Sequence, residues 1–226
     1  MNPKKALVLG TLLLVPVLVF LFLKMFGVNK FSLRTYFPAT VDSTMVDGQW
    51  RYDTVYHKVP DFQLTSLKNP SFSQKDLQGK IYIASFSDSS CQNTCKQVNI
   101  QLGRVQDAFR LQPDVYILSF LASSDADNVS FLKQYAKGTR ANPAKWFFLT
   151  GSSAQILQIA EQDYLLSSKE SALPNASAPL NSGRLILVDQ LKQVRGIYDG
   201  TDAADVDRMI TEINVLLSES TIPNGK

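Results

Sequence analysis

Hydrophobic and polar positions along this chain follow three different periods. Residues 6–23 carry no charge and include Gly10, Thr11 and Pro16. As a helix rising about 1.5 Å per residue, such a run just spans a bilayer. Short unbroken apolar runs come next: Ile81-Tyr82-Ile83-Ala84-Ser85-Phe86, Val115-Tyr116-Ile117-Leu118-Ser119-Phe120 and Trp146-Phe147-Phe148-Leu149. Runs of that length predict buried strands. Between the first two, Val98, Leu102, Val105 and Phe109 repeat at helical spacing. A helix is predicted over residues 129–135, ending near Gly138. Another carries Ile156, Leu157 and Ile159 behind the capping run Gly151-Ser152-Ser153. Phe62-Gln63-Leu64 pairs with the region around Phe72 as a short hairpin, and residues 185–189 and 194–198 make a second. The last helix, from about Ala203, places Val206, Met209, Ile210, Ile213, Leu216 and Leu217 on one face. Residues 163–183 read as a long irregular excursion rich in Ser, Pro, Ala and Asn.

The order of these elements, two β-α-β units followed by a hairpin and a helix, predicts an α/β sheet with helices on both faces. The chain divides into an anchor (1–26), a tether and N-terminal flap (27–59), the α/β domain (60–218) and a tail (219–226). Trp50, Tyr52 and Tyr56 of the flap are not placed by this reading. His57, the only histidine, reads as a solvated surface residue more readily than as a ligand.

Charge changes the picture little. The formal net charge is +3, and Lys4, Lys5 and Lys24 flank or extend the apolar run. Without them the chain has 20 basic and 20 acidic residues, so nucleic acid is not an expected partner. Lys4 and Lys5 before the run favour a cytoplasmic N-terminus. No small-x-small cleavage site follows, which favours an uncleaved anchor over a signal peptide. The expected location is a single-pass inner or plasma membrane protein with its domain on the extracytoplasmic, periplasmic side, where a dithiol can cycle.

The candidate chemistry lies in Cys91-Gln92-Asn93-Thr94-Cys95, which holds the only two cysteines of the 226 residues. Counted back along the helical stripe, both sulfurs fall on the inward face of one helix at its N-terminal end. Residues i and i+4 of a helix have α-carbons about 6 Å apart, within reach of a disulfide. Strand, tight loop, dithiol and helix are how a thioredoxin-like fold presents reactive cysteines. The plainer alternative is a structural disulfide, but a five-residue loop gains little from closure. With one histidine no His-based triad can form, and no phosphate loop or zinc spacing is present. Asn128-Val129-Ser130 and Asn175-Ala176-Ser177 match glycosylation acceptors, a common chance pattern.

Several stretches resemble the Sco/SenC group of membrane-anchored, thioredoxin-like proteins involved in cytochrome oxidase assembly. They are Asp61-Phe62-Gln63-Leu64, the Gly79-Lys80 turn into a strand ending at CxxxC, and Leu132-Lys133-Gln134-Tyr135-Ala136. Further support comes from Asn142-Pro143-Ala144-Lys145-Trp146-Phe147-Phe148-Leu149-Thr150-Gly151 and Gly183-Arg184-Leu185-Ile186-Leu187-Val188-Asp189. The resemblance covers roughly residues 60–217. It implies a copper site built on both cysteines and a histidine just before the strand starting near Arg184. Here Asn181 occupies that position, Gln92 and Lys96 replace prolines that follow the cysteines, and the acidic loop near residues 123–127 is partly kept.

What the resemblance implies is therefore thiol chemistry first. Cys91 and Cys95 are the expected catalytic pair and the expected ligands of Cu(I), which soft sulfur suits; Cu(II) prefers nitrogen and oxygen donors. Cys91 is the expected attacking thiol and Cys95 the resolving one. The implied client is an exported cysteine-containing protein such as the copper subunit of a terminal oxidase. Two other readings remain beside it: a general extracytoplasmic thiol–disulfide oxidoreductase, and a tethered binding module with an inert disulfide. A peroxidase fits poorly, because Thr94 lies between the cysteines and not before the first.

Overall fold

The apolar runs become the middle of a seven-stranded sheet. The computed structural model describes residues 3–26, 32–46, 48–67, 71–123, 128–167 and 180–221. The chain forms two compact units, Met1–Ser32 and Leu33–Lys226.

The first unit holds helix α1 (Pro3–Phe26), with Pro16 inside it. Its described side chains from Leu12 to Phe22 are exposed and mostly large and apolar. Among the described residues, no helix is long and apolar enough to cross a membrane.

The second unit opens with a hairpin of β1 (Pro38–Val46) and β2 (Gln49–Tyr56), which form a two-stranded sheet of their own. Sequence periodicity left this segment unplaced because both faces of the hairpin are exposed, so no buried stripe marks it. β3 (Gln63–Ser66) and β4 (Phe72–Ser73) follow, then β5 (Ile81–Asp88), α2 (Asn93–Ala108), β6 (Val115–Ser123), α3 (Asn128–Lys137) and β7 (Trp146–Ser152). After α4 (Ser153–Gln158) the chain reaches β8 (Arg184–Val188), β9 (Val194–Asp199) and α5 (Ala203–Thr221). The large sheet has the order β4-β3-β7-β6-β5-β8-β9. β5, β6 and β7 run parallel, and β8 joins β5 antiparallel.

Strands buried on both faces need no alternation, which is why the central runs are apolar throughout. On one face Ile81, Ile83, Ile117 and Leu187 meet the α2 stripe of Val98, Leu102 and Val105 and the α5 stripe of Val206, Met209 and Ile213. On the other, Tyr82, Phe86, Leu118 and Phe120 pack with Ile156, Tyr164 and Phe62. Phe86 stacks on Phe120 at 4.7 Å, and Tyr164 meets both edge-on.

α4 lasts six residues and widens into a π-helical turn at Ile159–Asp163. Ile156, Ile159 and Ala160 reach the core, while Leu157 is exposed. Ser152 caps α4, its hydroxyl accepting from the Gln155 N–H at 3.2 Å. One expectation is corrected: the last helix continues beyond residue 218, to Thr221. The Asn175 acceptor, residues 124–127 of the acidic loop and residues 168–179 of the long excursion lie outside the described residues.

Candidate functional site

The strand that leads to the cysteines ends in a turn made by its own last side chain. The Asp88 carboxylate accepts from the Ser90 N–H at 2.8 Å and the Ser90 hydroxyl at 2.6 Å. Its carbonyl accepts from the Cys91 N–H at 3.2 Å. An aspartate folding the backbone two residues on is a standard turn device, and here it aims the chain into Cys91. Partial burial opposes charge on this carboxyl. The hydrogen bonds from the Ser90 hydroxyl, Asn181 and the backbone of Ser90 and Cys91 outweigh it, and hold Asp88 below its ordinary value.

Cys91 is not on the helix, which corrects the sequence reading. α2 begins at Asn93, and Gln92 stands at its N-cap with no side-chain cap. Cys91 lies in the turn before, half-buried, while Cys95 is buried in the first helical turn on the same stripe as Val98 and Leu102. Helical counting carried the stripe one turn too far back, through residues that the Asp88 turn holds in another conformation. The two sulfurs still meet: Cys91 and Cys95 are joined by a disulfide, with α-carbons 5.8 Å apart.

The unoccupied cap matters electrostatically. The first N–H groups of a helix lack intrahelical partners and carry partial positive charge. With no side-chain oxygen from Gln92 to neutralise them, that charge lies beside the sulfurs and favours thiolate over thiol once the bond is reduced. Lys96 is exposed on the helix surface. A groove of about 780 Å³ begins at Lys96 and runs along α2 past Asn99 and Arg104 to Arg140 beyond α3.

Asn181 stands against this turn. It adopts a left-handed backbone, φ 61°, which asparagine tolerates well. Its N–H donates to the Phe86 carbonyl at 3.1 Å, and its Oδ1 accepts from the Asp88 N–H at 2.9 Å. Its amide nitrogen donates to the Ser90 hydroxyl at 3.4 Å. The amide is thus engaged in holding the turn that presents Cys91. Gly183, φ 77°, completes the approach, since a β-carbon there would lie 3.2 Å from Thr94 Cγ2 and 3.1 Å from Thr201 Cγ2. Glycine is used where chain meets chain this closely and φ is positive.

His57 is not brought to the cysteines by any hydrogen bond, nor is it a solvated surface residue as its sequence context suggests. It is half-buried, and its Nε2 lies 2.8 Å from the Asp163 carbonyl. A carbonyl only accepts, so that nitrogen carries the proton. The ring ties the end of β2 to the π-helical turn because its backbone N–H is also held, by the Phe37 carbonyl at 2.9 Å. Among the described residues, no three His, Cys, Asp or Glu side chains gather as a metal site. Two thiolates from Cys91 and Cys95 fit a two-coordinate soft ion and do not by themselves fit Cu(II).

Residues that sequence reading passed over include Asp88 as the turn-former, Ser90 as its partner, and Arg184. Arg184 is buried at the start of β8 and donates to the Leu166 carbonyl, with its Nε unpartnered. Burial lowers its pKa. Asp-Ser-Ser is a legible turn signal; a buried arginine at the head of an apolar strand is not.

A family model described as SCO1/SenC matches residues 51–218. The SCO1 protein homolog of Bacillus subtilis (strain 168) is 23% identical over 168 residues, covering 74% of this chain and 86% of that protein. Among solved structures, BsSco, described as a member of the Sco family of cytochrome c oxidase assembly proteins with a disulfide switch, superposes with TM-score 0.57 at 22% identity. The match covers 74% of this chain and 95% of that one. The copper-bound ScoI of Arabidopsis thaliana superposes with TM-score 0.52 at 21% identity, covering 69% and 98% respectively. At these identities the structural likeness establishes the thioredoxin-like fold.

Proposed function

This chain belongs to the SCO1/SenC family, and we propose that it acts as a membrane-held, extracytoplasmic dithiol protein. In this reading it exchanges disulfides with an exported, cysteine-containing client, and its reduced pair captures Cu(I) as cargo. The observation that carries the reading is a half-buried Cys91 bonded to a buried Cys95 at an uncapped helix N-terminus. An inert staple needs neither the asymmetry nor the free helix end.

The exchange balances as follows. From the reduced pair, the Cys91 thiolate attacks one sulfur of a client disulfide, and the other client sulfur leaves as thiolate. The Cys95 thiolate then attacks Cys91 Sγ, closing the Cys91–Cys95 bond and releasing the second client sulfur. Two electrons pass to the client, and the protein ends in the disulfide form. A client such as the copper subunit of a terminal oxidase is supported by family membership and by the oxidase-assembly role ascribed to BsSco.

For copper, the donor set sets the oxidation state. Cys91 and Cys95 supply two soft ligands, and Asn181 holds the place where the family resemblance expects an imidazole. Its amide is a poor Cu(II) donor and is already bonded to Asp88 and Ser90. Support for the anchor is the uncharged run of residues 6–23 behind Lys4 and Lys5. Support for the periplasmic side is the cycling dithiol itself.

Titration of the reduced, full-length protein tests the cargo claim. One Cu(I) per chain is expected, with loss of binding in Cys95→Ser and only weak Cu(II) uptake. Tight Cu(II) binding abolished by His57→Ala would contradict it, because His57 is assigned here to a backbone contact.

A further inference from the structure

The β1–β2 hairpin has one face rich in exposed apolar side chains, and among the described residues neither core cluster includes it. Its register sets Met45 opposite Trp50, Ser43 opposite Tyr52 and Val41 opposite Thr54. Directly opposed residues of an antiparallel pair share a face. That face therefore carries Val41, Met45, Trp50 and Tyr52, with no charge. The other face pairs Thr44 with Arg51 and Asp42 with Asp53, and so holds every charge of the two strands.

Val41, Met45, Trp50 and Tyr52 are 62, 60, 58 and 68% exposed. A patch of this kind marks an interaction site, and a two-stranded ribbon alone in water is only marginally stable. We propose that this face docks on a lipid surface, with Val41, Met45, Trp50 and Tyr52 entering together where headgroups meet acyl chains.

Three observations fit a lipid surface. Tryptophan and tyrosine, apolar with a polar tip, are the side chains that bilayer interfaces enrich. The face has no charge to pair with a partner's. Finally, α1 ends at Phe26 and β1 begins at Pro38, a separation that even a fully extended chain closes to about 40 Å. If the apolar run is in a bilayer, the hairpin is confined near it. This last argument rests on the anchor reading above; the first two do not.

Tryptophan fluorescence tests the docking cleanly, because the second tryptophan, Trp146, is 2% exposed inside the domain and serves as an internal reference. The full chain is reconstituted into phosphatidylcholine vesicles with and without acyl-chain bromine. Loss of most of the Trp50 emission in brominated vesicles is expected, with the quenched component absent in Trp50→Phe. Unquenched Trp50 overturns the inference, whether iodide reaches it from water or copies of the chain shield it from both quenchers. A carbonate wash of the same vesicles reports on the anchor separately. A chain that survives the wash with Trp50 unquenched loses the docking face and keeps the anchor. A chain that is washed off after showing quenching loses the anchor and keeps the docking face.

Discussion

Asn181 makes the smallest change with the largest chemical consequence. Its left-handed backbone is one that histidine also adopts more often than most residues, so Asn181→His fits the main chain. The variant removes the acceptor for the Asp88 N–H and the donor to Ser90. Two lost hydrogen bonds of this kind cost about 1 kcal/mol each, which a lower urea midpoint would show. In exchange it places an imidazole at the turn that carries Cys91. Cu(II) affinity of the reduced protein is expected to rise by at least about tenfold, or ~1.4 kcal/mol, read by competition with a chelator. An unchanged Cu(II) affinity would mean that position 181 does not face the sulfurs. Both cysteines and Asn181 could be picked from the sequence, the last only through the family resemblance. The Asp-Ser-Ser turn signal is legible too; what the sequence does not carry is that the turn leaves Cys91 before the helix.

Among elements, β5 links the site to the core, and its burial is testable through tyrosine. The Tyr82 hydroxyl lies 3.2 Å from that of Tyr164 and 3.3 Å from Gln74 Nε2. Burial pushes Tyr82 up to about 12 and Tyr164 well above its usual value. A folded-state value above the unfolded one, about 10, means that the contribution is complete below pH 10. It is lost as pH rises through 12, because tyrosinate ionises only on unfolding. The urea midpoint is expected to fall between pH 10 and 12, and less steeply in Tyr82→Phe; equal slopes would contradict this burial. The unbroken apolar runs made β5, β6 and β7 legible. The β1–β2 hairpin escaped because its apolar residues face outward.

At the scale of the molecule, a seven-stranded sheet covered on both faces presents one disulfide at the end of β5. The order of strands and helices was readable as α/β because each element keeps its own period. What sequence periodicity does not carry is how separate turns converge, as residues 180–183 do on the Cys91 turn. The account stands on the Cys91–Cys95 pair being a working couple. Its reduction potential, measured in glutathione buffers on the full-length protein, tests that most directly. A working pair is predicted to equilibrate in the range of known thiol–disulfide exchange proteins, above about −300 mV. A potential below about −300 mV, with the bond resisting the glutathione pool, would make the disulfide a staple and contradict the account.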